Sequence, residues 1–167
     1  MPVQWLELTE LTEAREVATF PLLVPAFVPE GIPLHMIRVS DYADDTQNVR
    51  ILYLEPGGTL YEIVHGGKKM VDVQLTMTEI PVPLDSIARM SYGNVLDIRE
   101  VQVRGQVGYT YWSRSVSAGN WATLTWREGA LDIRVSVIGP WPQPHEYNPH
   151  GLDETLLRIA ESLQTLE

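Results

Sequence analysis

The sequence predicts an α+β fold: a single, mostly antiparallel, curved β-sheet of about six to eight strands, with a C-terminal helix packed on it and a short N-terminal helix before it. Three observations predict it. The last third holds four β-rich runs, "IREVQVRG", "GYTYWSR", "WATLTWRE" and "LDIRVSVIG", broken only by turn residues. The chain then closes on "LDETLLRIAESLQTLE", where Leu152, Leu156, Ile159, Ala160 and Leu163 fall at helical spacing and make one apolar stripe. Finally, 167 residues with 44% hydrophobic and 20% charged side chains is the size and composition of one globular domain, so residues 1–167 read as a single unit.

Taken in order, "LTEAREVATF" reads as a short helix. Thr12 is the expected N-cap, Glu13 and Glu16 suit the positive end of the helix dipole, and Leu11, Ala14 and Val17 form one face. Pro21 ends it, because the residue before a proline is driven out of the helical region. The next stretch, "FPLLVPAFVPEG", is apolar yet carries Pro21, Pro25 and Pro29. It is too short to span a membrane and too broken to be a helix. An extended connection is expected, with most of Leu22, Leu23, Val24, Phe27 and Val28 buried and a turn at Pro29-Glu30-Gly31. "PLHMIRVSD" alternates, with Ile37 and Val39 on the face opposite Leu34 and Met36. "VRILYLE" and "TLYEIVH", Val49–Glu55 and Thr59–His65, flank Pro56-Gly57-Gly58 and read as a hairpin; "MVDVQLTM" is a further strand. Between Glu79 and Asp97 the pattern lapses. In "WATLTWR" and "LDIRVSVIG" the alternation is strict, which predicts one buried and one wet face. Asp153 is the expected N-cap of the last helix.

Composition excludes several classes of function. There is no cysteine, hence no disulfide, thiolate nucleophile or cysteine metal site. Net charge is −10, and the twelve basic residues cluster only at Lys68-Lys69, which argues against nucleic-acid binding. The N-terminal residues lack the basic and apolar regions of a secretory signal, and no run reaches the ~20 apolar residues of a spanning helix.

Candidate sites are sparse. His145, Glu146 and His150 share one loop, but a spacing of five in a proline-rich loop is poor for zinc; His35 and His65 sit on strands at uninformative spacing. Asp41, Asp44, Asp45 and Asn48 lack the alternation, glycine and distal glutamate of a calcium loop and read as a hairpin tip. Ser113, Ser115 and Ser117 lie in no nucleophile elbow. No catalytic, cofactor-binding or metal-binding residue is assigned. Aromatic residues are the remaining candidates: Trp126 alternates with Leu124 and Ala122 and belongs to the core, whereas Phe27 of the proline-rich stretch and Tyr109, Trp112, Trp121 and Trp141 of the C-terminal third are candidates for a partner or ligand surface.

The order of the pieces resembles an uncharacterised domain family of bacterial extracytoplasmic proteins, often membrane-anchored and akin to anti-sigma-factor-like or lipoprotein-sorting-like proteins. The residues that carry the resemblance are Phe20, Val24, Pro25, Pro29 and Gly31; Leu124, Trp126 and Gly129; and Ile159, Ala160, Ser162 and Leu163. It implies a non-catalytic binding or sensing domain whose partner is a protein, a peptide or a lipid. It also implies a place at the cell envelope if Met1 begins a fragment of a longer protein; a true start at Met1 implies the cytoplasm. Two other readings stand beside it: a hydrolase whose site assembles only in three dimensions, and a purely structural or dimerisation module.

Overall fold

The computed structural model describes residues 2–57, 68–77, 82–86, 95–115, 119–138 and 151–167. In chain order the elements are β1 (Gln4–Leu8), α1 (Leu11–Val17), β2 (Leu23–Pro25), β3 (Leu34–Asp41), β4 (Gln47–Leu54), β5 (Met70–Met77), β6 (Val95–Val103), β7 (Gln106–Ser115), β8 (Gly119–Glu128), β9 (Leu131–Ile138), α2 (Asp153–Glu161) and β10 (Leu163–Thr165). Eight strands form one open antiparallel sheet in the order β1-β3-β4-β5-β9-β8-β7-β6. Two meanders, β3–β4–β5 and β6–β7–β8–β9, meet where β9 pairs with β5.

Register explains the core. Opposed residues in an antiparallel pair share a face. Ile37, Ile51, Val73, Val135 and Leu124 therefore make one row across five strands, and Val39, Val49, Leu75, Ile133 and Trp126 make the next. All ten are buried. Ala14 of α1 and Leu156, Ile159 and Ala160 of α2 pack into the same cluster and cover this inner face. Each large side chain so buried contributes roughly 1.5–3 kcal/mol. Gly108 lies opposite Trp126, and a Cβ there would come within 2.9 Å of both the Thr125 carbonyl and Val103, so the glycine makes room for the indole.

The β6–β7 turn is fixed by one residue. Arg104 and Gly105 both have positive φ, 49° and 74°, the geometry of a tight hairpin turn and one that arginine rarely adopts. Three contacts hold Arg104 there. Its backbone N–H donates to Glu161 (2.7 Å), its Nη1 to the Leu163 carbonyl (2.6 Å), and its Nε to Glu128. Trp126 Nε1 also donates to Glu128, at 2.9 Å. Burial alone would raise the Glu128 pKa; the hydrogen bonds from Arg104 and Trp126 outweigh it and hold the carboxyl below its ordinary value.

The proline-rich segment is built into the fold. Phe20, Leu22, Leu23 and Val24 are buried, and Phe27 and Val28 are half-buried against the same core. The expected burial is observed, and Gly31 at φ 83° makes the expected turn. Its partner was not foreseen: β2 pairs with β10, immediately after α2. Ala26 N–H donates to the Ser162 carbonyl at 3.0 Å and Leu166 N–H to the Leu22 carbonyl at 2.9 Å.

Several expectations need correction. Helix α1 starts at Leu11 behind Glu10, with no side-chain cap from Thr12, and Asp153 is the first helical residue of α2, preceded by Leu152. Asp153 instead accepts a bond from Thr110 at 3.3 Å, which ties α2 to β7. Of the expected face of α1 only Ala14 is buried; Val17 is exposed. The neighbours of β4 are β3 and β5; the anticipated partner Thr59–His65 lies outside the described residues. Strand β1, whose pattern was not read as a strand, adds an edge through pairs such as Leu8 with Ile37. The face expected to be wet is partly dry: Thr123, Thr125 and Ser136 are buried on it, with Thr123 and Ser136 joined hydroxyl to hydroxyl at 2.9 Å.

Candidate functional site

The outer face of the sheet, opposite the helices, is polar at its centre and carries a cleft of about 450 Å³. Period-two geometry puts Asn48 and Arg50 of β4 beside Thr76 and Gln74 of β5. Tyr42, Asp44 and Thr46, from the β3–β4 turn, form one wall, and Trp121 of β8 forms another. A second cleft shares Tyr42, Asn48 and Arg50 and extends to Arg38, Ser40 and Trp5. A third shares Gln74 and Thr76 and extends to Thr125, Asp132 and Arg134.

Beneath the central cleft lies Asp72, 1% exposed. Its Oδ2 accepts from Arg50 Nη2 at 2.6 Å and from Gln74 Nε2 at 3.1 Å. Its Oδ1 is buried with no hydrogen-bond partner. A buried carboxylate is tolerated only when paired, and here the pairing also fixes Arg50 and Gln74 in the cleft. Other side chains are fixed similarly. Asn48 Nδ2 donates to Thr76 Oγ1 at 2.7 Å. Thr46 N–H donates to Asp44 Oδ1 at 3.2 Å, and the bonds from Thr46 hold the Asp44 carboxyl below its ordinary pKa, so it is an ionised acceptor at neutral pH. At the far end, Arg38 pairs with Glu7 at 2.9 Å and stacks over the Trp5 ring at 5.5 Å.

The aromatic candidates fall in different places. Trp121 is half-buried on the outer face, packed against the apolar island of Leu52, Leu54, Met70 and Ile138, and borders the cleft. Tyr109 is on the same face, opposite Thr125 and half-buried. Trp112 is not at the surface: it lies in the core opposite Ala122, whose small side chain leaves space for the indole. Phe27 is remote from the cleft, half-buried beneath the Arg158 guanidinium at 3.9 Å, with its N–H donated to Ser162 Oγ at 3.0 Å. Trp141 lies outside the described residues, as do His65, His145, Glu146 and His150. Asp41 and Gln47 close the β3–β4 turn through a bond of 2.8 Å, in keeping with a hairpin tip. Among the described residues no group of three or more histidines, aspartates or glutamates is placed to hold a metal ion. Also among them, no helix is long and apolar enough to cross a membrane.

Sequence reasoning missed Arg50, Asp72, Gln74 and Thr76, and took Asn48 only as part of a hairpin tip. The available signal was the polar set within "NVRILYLE" and "VDVQLTM", where alternate positions carry polar side chains in otherwise apolar strands.

Comparison with known proteins leaves the site to be read on its own chemistry. A scan against protein-family models finds no match, and neither the curated proteins nor the solved structures contain a significant one.

Proposed function

We propose that this chain is a non-catalytic binding domain whose ligand, a small polar molecule, occupies the outer-face cleft between the β3–β4 turn and Trp121. One observation carries this reading. The hydrogen-bonding side chains of the cleft stand on adjacent strands of a sheet and are held in place, Arg50 and Gln74 by the buried carboxylate of Asp72, Asn48 and Thr76 by each other. Groups fixed in this way lose little freedom when a ligand arrives, which is how rigid scaffolds gain affinity. The cleft volume is within the range of small-molecule sites, while its polar lining favours a polar ligand over an apolar one. A role in the cell envelope, as the family resemblance implies, is compatible with such a domain acting as a sensor.

The test is a thermal-shift and native mass-spectrometry screen of the whole chain against polar metabolites, repeated with the double variant Asn48→Ala, Gln74→Ala. A ligand should raise Tm of the parent, and the double variant should bind it at least about ten-fold more weakly, as expected for loss of two hydrogen bonds. A screen that yields no ligand, or a ligand whose affinity the variant leaves unchanged, overturns the reading.

A further inference from the structure

The three adjoining clefts make one trough. Their shared walls carry it from Trp5 on β1, past Tyr42 and Asn48, to Arg134 on β9. Four strand-to-strand steps of about 4.8 Å give a length near ~19 Å. That is longer than a single small metabolite needs and suits a chain of several units.

The charges along the trough cancel. Arg38 is paired with Glu7, Arg50 with Asp72, and Arg127 with Asp132. Asp44 and Arg134 remain, one of each sign, with no ion pair among the described residues; Asp44 borders the central cleft and Arg134 the third. This local neutrality differs from the whole chain, whose net charge is −10. An anionic or cationic ligand would find one unmatched countercharge and several already satisfied. A neutral ligand meets no field to oppose it.

The uncharged lining is equally specific. Asn48 and Gln74 each offer an amide donor and acceptor, while Thr46, Thr76, Ser40 and Tyr42 offer hydroxyls that both give and accept. A ligand matched to such a surface presents hydroxyl groups at regular intervals. Between the polar groups stand flat rings: Trp5 at one end, Tyr42 within, and Trp121 braced from behind by Leu52, Leu54 and Ile138. A braced ring offers an apolar platform to the C–H face of a sugar at little entropic cost. A peptide would need apolar side-chain pockets, and apart from Pro2 and Ile133 the lining among the described residues holds no aliphatic side chain to form them.

From these observations we infer that the trough binds a neutral oligosaccharide, with sugar rings against Trp121 and Tyr42 and hydroxyls bonded to Asn48, Arg50, Gln74 and Thr76. This rests on the binding reading above and names its ligand class.

The probes are cellohexaose, maltohexaose and chitohexaose, with a heparin-derived hexasaccharide as the anionic comparison, titrated into the whole chain by calorimetry and tryptophan fluorescence. At least one neutral hexasaccharide should bind and shift the emission. Trp121→Ala should weaken it roughly ten-fold, the size of a lost stacking contact, and Trp121→Phe should recover most of that loss. Thermal melts confirm that each variant is folded, and a binding loss in Trp121→Ala that Trp121→Phe restores separates stacking from misfolding. Binding of the heparin fragment alone, lost in Arg134→Ala, overturns the inference. So does the absence of binding by all three neutral probes. In either case, a polar metabolite whose binding is lost in Asn48→Ala, Gln74→Ala would leave the broader reading standing. A neutral saccharide that binds with undiminished affinity to both that variant and Trp121→Ala removes both.

Discussion

The inner and outer faces of the sheet come from the same strands one residue apart, yet they are held by different physics. On the inner face Ile51, Val73, Val135 and Leu124 share one apolar cluster with Leu156, Ile159 and Ala160 of α2, and non-directional apolar burial does the work. On the outer face, Arg50, Asp72, Gln74, Thr123 and Ser136 occupy the neighbouring positions, and hydrogen bonds keep otherwise costly groups in place. The difference teaches where each face can change. An apolar layer tolerates a change of shape only within its volume, whereas a polar layer tolerates a change of volume only if every partner remains satisfied.

Four substitutions would break or sharpen that contrast. The largest effect is expected on the inner face. Trp126→Ala removes the largest fully buried side chain among the described residues and one of the two donors to Glu128, and should cost about 3–5 kcal/mol in a urea unfolding experiment. A loss below about 1 kcal/mol would mean the layer is not close-packed around it. On the outer face, Asp72→Ala should cost about 1–3 kcal/mol. The Arg50 side chain is 30% exposed and can turn to water, so the full penalty of a broken buried pair is not expected. If Asp72→Ala equals or exceeds Trp126→Ala, the two faces are not distinct in kind. The smallest effect is the most discriminating. Thr123→Val and Ser136→Ala should each destabilise by about 1 kcal/mol, while the double variant should cost less than the sum, because both partners of the bond are then gone. Simple additivity in this cycle would remove hydrogen bonding as the reason these hydroxyls are buried.

Much of the inner face was legible in the sequence. The alternation in "LDIRVSVIG" placed Leu131, Ile133, Val135 and Val137 together, and the 3.6-residue spacing of Leu156, Ile159 and Ala160 supplied their cover. The outer site was not legible, because Asn48 and Arg50 come beside Gln74 and Thr76 only through the β4–β5 register, a long-range choice that no local pattern records. Trp112 was misplaced for a related reason. In "YTYW" both parities are aromatic, so the face is settled only by Ala122 across the ladder. Strand β1 escaped notice because its residues are nearly all exposed, and an edge strand with little burial leaves a weak pattern. The pairing of β2 with β10 joins segments that no window of sequence could connect.

That last pairing also sets a clock. Phe27 waits for a partner 135 positions further along the chain, Ser162, before its N–H is satisfied. At a synthesis rate of about 5–20 residues per second, Phe20 to Val28 emerge roughly seven to thirty seconds before β10 exists to cover them. Throughout that interval the most apolar stretch of the chain is an open strand without a neighbour. Its three prolines, at 21, 25 and 29, deny regular ladder pairing to any other strand that meets it first. The same residues that shape the finished connection thus protect the unfinished one from aggregation, and they delay completion of the fold until the strand after α2 has been made.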